Sequence, residues 1–475
     1  MKKALEVIKK VISSKVFIFF LTTIIMFLMT YSVDLFSVSG DAQETWKVAE
    51  TFFSEDKYYS YVMYKGVYAF LPCVLDIFIS GILNIPQVLI FKLFNALCFG
   101  YVAAYGIPNL IGYIHKNGEI SLLQRYLLVA LLIFFESNII FIVSVDMMSC
   151  AMFFALCNSA MKIVKSEEKK IVSFVWFGIW FGLNMCLSGQ FGISSLIVAL
   201  ALIINTVYVH FKKNGFKQIK KCVPLACSLL IIFACYFIAK LPNQIYMATV
   251  VDPARAAGEW IPTGGDWIIN GLSQNLLHIT YPSQVPDNLS MGFLNAEQLE
   301  QVKAGGAILS YGDYINLILH HPIRFLVRWS ERLFLGIMND PQNLIAKTVR
   351  YPSVMIVSMA VIVYSLYDRF KARFVKYKDI ISVDMAIYLG LLFSALVPSF
   401  GHVENRYFFT ARCFIYGVFA VSPYLNETVN TIKQKIKGKT FEPISWRFWG
   451  GAVFILLSLI IYYALYQSAG VMYVQ

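Results

Sequence analysis

The feature that most constrains this chain is a succession of apolar runs, each close to twenty residues long, separated by polar connections. A helix needs about 20 mainly apolar residues to cross the hydrocarbon layer of a bilayer. Eleven segments qualify: 16–33, 91–114, 126–145, 147–164, 171–187, 191–210, 223–240, 351–368, 380–398, 408–425 and 448–466. With 58% hydrophobic and only 14% charged residues, the 475-residue chain has too little polar surface for a water-soluble protein of that length. A lipid-embedded backbone must also satisfy its own polar groups, which helices do within a single segment. The expected fold is therefore an all-α polytopic membrane protein with about 11 transmembrane helices.

Lysines set the expected orientation. Lys2, Lys3, Lys9, Lys10 and Lys15 precede the first apolar run, and no small-residue cleavage site follows promptly, so the run reads as an uncleaved signal anchor with a cytoplasmic amino terminus. A further apolar stretch, 67–85, decides the side of every later loop. If it does not cross, the loops 115–126, 162–170, 211–222, 369–379 and 427–447 fall inside, carrying 21 of the 40 Lys and Arg residues. If it does, all of these fall outside, against the positive-inside rule. We therefore expect 67–85 to be a re-entrant or juxtamembrane helix on the outer face, a reading that also suits its Pro72, Asp76 and Gly81. The net charge of +12 belongs mostly to the inner loops and is no argument for nucleic acid. Cysteines are scattered singly without a Cys-x-x-Cys pair, as buried small hydrophobes are.

This topology divides the chain into an amino-terminal transmembrane module, 1–240, with a first outer segment at 34–85, a large outer loop at 241–350, and a carboxy-terminal transmembrane module at 351–475. The outer loop carries turn chemistry at Gly264-Gly265-Asp266 and Pro286-Asp287-Asn288, then an amphipathic helix expected over 311–337. Arg324, Arg328 and Arg332 recur there every four residues and so share one face. That face can rest on anionic headgroups or bind a phosphate. Asn288-Leu289-Ser290 matches a glycosylation acceptor, a pattern short enough to arise by chance.

Three polar clusters are expected at the outer membrane face: Asp41 with Glu44 in Ser39-Gly40-Asp41-Ala42-Gln43-Glu44, the surroundings of Asp146, and Gly401-His402-Val403-Glu404-Asn405-Arg406-Tyr407. Ionisable groups at membrane depth cost about 2.5–3.5 kcal/mol at a helix centre, so each has a partner or a task. Asp146 is either an N-cap for the fourth helix or a site carboxylate. Glu136 sits near mid-membrane if the third helix starts at Tyr126, and nearer the outer face if it starts at Ile120.

The layout of a first helix, an outer segment with an early Asp41, Tyr58-Tyr59-Ser60-Tyr61 leading into an apolar outer helix, an Asp after the third helix and a late Glu404-x-Arg406-Tyr407 resembles the GT-C superfamily of membrane glycosyltransferases. The resemblance implies a GT-C-like fold and transfer of a sugar from a polyprenyl-phosphate donor to an envelope glycan acceptor on the non-cytoplasmic side. Asp41 is then the expected base, with Asp146 as a second catalytic carboxylate. Taking a proton from the acceptor hydroxyl is an effect typically worth 10²–10⁴-fold. Arg406, Arg412, Arg324 and Arg328 are the expected ligands of the departing lipid phosphate, since fixed guanidinium groups stabilise such charge. Arg406 and Arg412 are six residues apart, and both reach one phosphate only if the helix begins after Arg406. Glu44, Glu404, His402 and Tyr407 are candidates for acceptor contact or support. Many family members carry paired acids where this chain has Asp41-Ala42, which leaves a divalent cation on Asp41 and Asp146 an open question.

A polysaccharide polymerase or ligase would also work outside the membrane on lipid-linked glycans, and would suit the long outer loop with its arginines. A flippase or transporter of lipid-linked sugar is the reading from another class, but no internal duplication of the kind transporters show is evident. No Walker loop, His-Glu-x-x-His or Gly-rich dinucleotide motif is present. The expected location is a plasma membrane, multi-pass, and bacterial by its Lys- and Ile-rich composition.

Overall fold

In the computed structural model, the structure describes residues 10–34, 40–53, 65–114, 120–141, 143–166, 171–187, 191–214, 222–249, 311–338, 383–400 and 405–421, with isolated positions besides. The expected spans 351–368 and 448–466, apart from isolated positions, the tyrosines 58–61 and, of the outer loop 241–350, residues 250–310 and 339–350 lie outside the described residues. Every regular element that is described is helical, as the apolar runs require. The chain falls into two compact units, 1–261 with 378–393, and 262–377 with 394–475.

The first unit contains α1 (Lys15–Tyr31), α2 (Gly40–Glu50), α3 (Leu71–Leu83), α4 (Leu89–Tyr101), α5 (Ile107–Ile114), α6 (Leu122–Glu136), α7 (Asp146–Lys165), α8 (Ile171–Cys186), α9 (Gly192–Asn214) and α10 (Cys222–Thr249). Among the described residues, four helices are long and apolar enough to cross a membrane: 89–114, 146–165, 192–212 and 225–249. α1, α3, α8 and 383–397 are apolar but shorter.

The α4–α5 rod is continuous through a π-helical turn at Val102–Gly106. Pro108 has no amide for the carbonyl of Ala104, and its ring crowds that carbonyl, so the helix widens there instead of breaking. The Asn158 side-chain amide donates to the Gly106 carbonyl at 2.8 Å, tying α7 to the widened turn.

Hydrogen bonds fix which helix ends lie together. Tyr126 donates its hydroxyl to the Ile12 carbonyl at 2.9 Å, Arg125 donates to the Ser13 carbonyl at 3.3 Å, and Lys15 bonds Asn109, so the start of α1, the end of α5 and the start of α6 share one end. At the other end Lys92 donates to the carbonyls of Tyr31 at 3.0 Å and Val33 at 2.8 Å, capping α1 with a cation where its dipole is negative. The end of α1 therefore lies beside the start of α4. The thirteen residues of α3 rise about 20 Å, short of the ~30 Å hydrocarbon layer.

The Asp76 carboxylate, fully buried, explains how α3 turns into α4. It accepts the backbone amides of Val88 and Phe91, both at 2.8 Å, and the Ser80 hydroxyl at 3.3 Å. An anion is thereby placed on the exposed amides that begin α4. It also holds Val88 at φ 74°, a conformation that a β-branched residue rarely adopts.

A second apolar cluster gathers at the same end as the start of α4. It joins Val48 and Phe52 of α2 and its following turn, Val62, Val67, Ala69 and Phe70, with Val145 and Met148 at the start of α7, Leu187 after α8, and Tyr246 near the end of α10. Phe52 stacks on Tyr246 at 4.8 Å between ring centres. The amide of Val67 donates to the Asn243 side-chain oxygen at 2.8 Å, and the Tyr68 hydroxyl donates to the Ala239 carbonyl at 2.8 Å, beside Pro242 within α10. Gly66 turns at φ 78°, and a Cβ there would stand 2.7 Å from the Cys186 carbonyl oxygen. Only glycine combines that φ with so close an approach.

α8 and α10 cross in close contact. Gly178 and Gly182, one turn apart, let α8 settle onto Cys235 and Ala239 of α10, also one turn apart. Small residues on both partners permit such close backbone approach in membranes. The first unit also takes in residues 383–393 of the helix Val383–Phe400, α13, whose Gly390 packs on the Ser194 carbonyl and Phe153. The second unit further contains α11 (Tyr311–His320), α12 (Pro322–Met338), a 3-10 turn at Asn405–Phe408, and α14 (Phe409–Ala420).

Candidate functional site

The acidic segment at the start of the first outer segment is helical. α2 starts at Gly40 and buries Ala42, Thr45, Trp46, Val48 and Ala49 on one side, while Gln43, Lys47 and Glu50 are exposed. The i, i+3, i+4, i+7 recurrence of Ala42, Thr45, Trp46 and Ala49 was the available signal. Asp41 and Glu44 are three residues apart on α2. The Asp41 side chain lies outside the described residues. One Glu44 carboxylate oxygen, Oε2, is buried and has no hydrogen-bond partner among the described residues.

Asp146 opens α7 as its first helical residue, with Val145 at the N-cap position and no side-chain cap. The N-cap expectation for Asp146 is thus replaced by a local loop of bonds: the Ser144 hydroxyl donates to Asp146 Oδ2 at 2.7 Å and accepts the Asp146 amide at 3.3 Å. The half-buried carboxylate stands in the first turn of α7, where the helix dipole favours negative charge. Val145 and Met148 on either side of it pack in the cluster that holds Val48 and Phe52. The element bearing Asp41 and Glu44 and the one bearing Asp146 therefore meet at one end of the first unit.

Glu136 takes the second of its two registers. A capping box at Ser121 and Gln124 starts α6 at Leu122. Glu136 is then the last residue of α6, fully buried, before the 3-10 turn Ser137–Phe141 that leads to Asp146. The third apolar run, 126–145, is consequently a helix to residue 136 followed by a tighter turn. Among the described residues no three His, Cys, Asp or Glu side chains converge as a metal-ligand set.

The arginines belong to the second unit. Arg406 lies in the 3-10 turn, half-buried, with its guanidinium carbon 5.4 Å from the centre of the Tyr407 ring, within range of a cation–π contact. α14 starts only at Phe409, so the helix does begin after Arg406, which is the condition for Arg406 and Arg412 to reach one anion. Arg412 is 2% exposed and is the largest fully buried side chain of the described residues. A guanidinium withdrawn from water is costly unless anions or acceptors surround it. α12 packs against the turn that carries Arg406 and Tyr407, which brings the helix of Arg324 and Arg328 to that place. The side chains of Arg324 and Arg328, and all of His402 and Glu404, lie outside the described residues.

Sequence reasoning missed Asp76, Asn243 and the close α8–α10 crossing as organising features; Gly178-x-x-x-Gly182 was the legible signal for the last. No family model, no curated protein and no solved structure matches this chain.

Proposed function

We propose that the chain is a membrane glycosyltransferase of the GT-C kind, moving a sugar from a polyprenyl-phosphate donor to an envelope glycan at the outer face of a bacterial plasma membrane. The observation that carries the reading is the setting of Arg406 and Arg412. A helix start places one arginine at a half-buried turn and buries the other within the first turns of α14. Two guanidinium groups at the start of one helix suit a lipid-borne phosphate, whose charge grows as the sugar departs.

Asp41 is the proposed base, with Asp146 as the second carboxylate and Glu44 as acceptor support. Displacement by one attack forms the bond from acceptor oxygen to anomeric carbon, breaks the bond to the phosphate oxygen, and passes the acceptor proton to the carboxylate.

The test is the glycan composition of the envelope in a strain lacking the protein, complemented at matched membrane expression. Wild type should restore a missing sugar, whereas Asp41→Asn and Arg412→Gln should not. Equal restoration by all three would sink the reading and favour a polymerase, ligase or transporter.

A further inference from the structure

The start of α1, the end of α5 and the start of α6 gather two cations at one end of the first unit, opposite to the end that carries Asp146. Arg125 donates to the Ser13 carbonyl at 3.3 Å, two residues before Lys15, and Lys15 donates to the Asn109 side-chain oxygen on α5. Tyr126, next to Arg125, fixes the same place through its bond to the Ile12 carbonyl at 2.9 Å. Both cations are half-buried. Their charges act on each other: burial first, and then the nearby Arg125 guanidinium, hold the Lys15 ammonium below its usual pKa.

No carboxylate among the described residues bonds or pairs with either cation, and the oxygens that do accept from them, those of Ser13 and Asn109, are neutral. The Arg125 Nε is buried and has no hydrogen-bond partner among the described residues. Of the five N–H donors of a guanidinium and the three of an ammonium, one each is used there. The helices add to the excess of positive charge. Lys15 is the first residue of α1, behind its Ser14 cap, and Arg125 is the fourth of α6, behind Ser121. A helix start carries roughly half a positive charge and disfavours cations. The end of α5 brings partial negative charge, about half a unit, which cannot offset two full charges and two helix starts. Unspent donors on two fixed cations beside helix starts are what an anion with several oxygens requires.

We propose that this end of the first unit binds a phosphate anion between the Lys15 ammonium and the Arg125 guanidinium, with Asn109 positioning the lysine. A lipid headgroup and free phosphate offer the same chemistry. The first is at hand wherever the apolar α1 is embedded, because Lys15 then stands at its end, at headgroup depth. The site lies away from Asp146 and the arginines of α14, so it does not rest on glycosyl transfer.

The experiment takes the purified full chain in detergent and follows its thermal unfolding during separate titrations with phosphatidylglycerol, phosphatidylcholine and inorganic phosphate. Saturable stabilisation by phosphatidylglycerol alone assigns the site to a headgroup, and stabilisation by inorganic phosphate assigns it to a soluble ligand. In either case the apparent affinity should fall about fivefold in Lys15→Gln and again in Arg125→Gln. It should also weaken as salt is raised on the unmodified chain. Asn109→Asp covers the case of a variant that fails to fold. It sets a carboxylate beside Lys15, so it should raise the unfolding temperature without ligand and shrink the shift that the ligand produces. Stabilisation by neither phosphatidylglycerol nor phosphate, or equal stabilisation by phosphatidylglycerol and phosphatidylcholine, would overturn the proposal. So would an affinity unchanged in both glutamine variants, or a full ligand shift in Asn109→Asp.

Discussion

Replacing Gly182 by alanine tests the close crossing of α8 and α10 directly. A Cβ built on Gly182 stands 2.7 Å from the Ala239 Cβ, 3.0 Å from the Cys235 carbonyl oxygen and 3.1 Å from the Tyr236 Cα. Carbon atoms prefer about 3.5–4.0 Å, so α8 and α10 must part by roughly 0.8 Å to admit one methyl group. Two of the three obstructing atoms are backbone, which no rotamer change can move. Over-packing of this kind costs about 1–3 kcal/mol. Against it stands the helix preference of alanine over glycine, about 1 kcal/mol. The sum is a loss of roughly 0–2 kcal/mol. Gly81→Ala is the matched reference, because nothing lies within 4 Å of a Cβ at that position in α3. There only the propensity gain remains, about 1 kcal/mol in a helix interior. Thermal unfolding of the purified chain in one detergent, followed by size-exclusion fluorescence, should rank Gly81→Ala above wild type and Gly182→Ala below Gly81→Ala. Equal stability of the two variants, or a more stable Gly182→Ala, would refute the claim that backbone contact at this crossing sets its tightness.

Asp76→Ala should lower stability by about 2–5 kcal/mol in the same unfolding assay, because it strips the acceptor from one buried and one part-buried amide. Asp76→Asn, which keeps one oxygen, should fall between, and wild-type behaviour of the alanine variant would remove Asp76 as the organiser of the α3–α4 turn. Asn243→Ala leaves the Val67 amide unpaired and should cost about 1–3 kcal/mol, whereas Tyr68→Phe should cost about 1 kcal/mol. Burial pushes the Tyr68 phenol up, so the folded state holds its proton more tightly than the unfolded chain. Its contribution is complete below the ordinary phenol range and is lost as pH rises through the raised folded value. Wild type should therefore lose more stability than Tyr68→Phe on alkaline titration, and parallel curves would exclude this contribution. In a transfer assay with a polyprenyl-phosphate sugar, Arg412→Lys should retain little activity, since an ammonium cannot reproduce a planar fork of donors. Full activity would separate Arg412 from the phosphate.

The sequence by itself determined the helical, membrane-embedded class, because a lipid-buried backbone has few ways to satisfy its amides and long apolar runs leave no other use for themselves. It also led to the expectation that residues 67–85 do not cross, since the lysine and arginine distribution opposes a crossing; Lys92 on the end of α1 and the thirteen-residue α3 are compatible with that expectation. The register of α6 was undecided between Tyr126 and Ile120, and the capping box at Ser121 chose it, a local signal overshadowed by the apolar run that follows. Only the tertiary structure decided the helicity of α2, whose short amphipathic pattern is stabilised by packing on α3 and the Val48–Phe52 cluster rather than by propensity. The same holds for Asp76, which reads from sequence as a misplaced charge in an apolar helix. Its partners, Val88 and Phe91, lie twelve and fifteen residues away and become adjacent only when the chain turns back. Composition and periodicity act along the chain, whereas hydrogen-bond satisfaction and close packing act across it, and the second kind of information exists only once the helices have met.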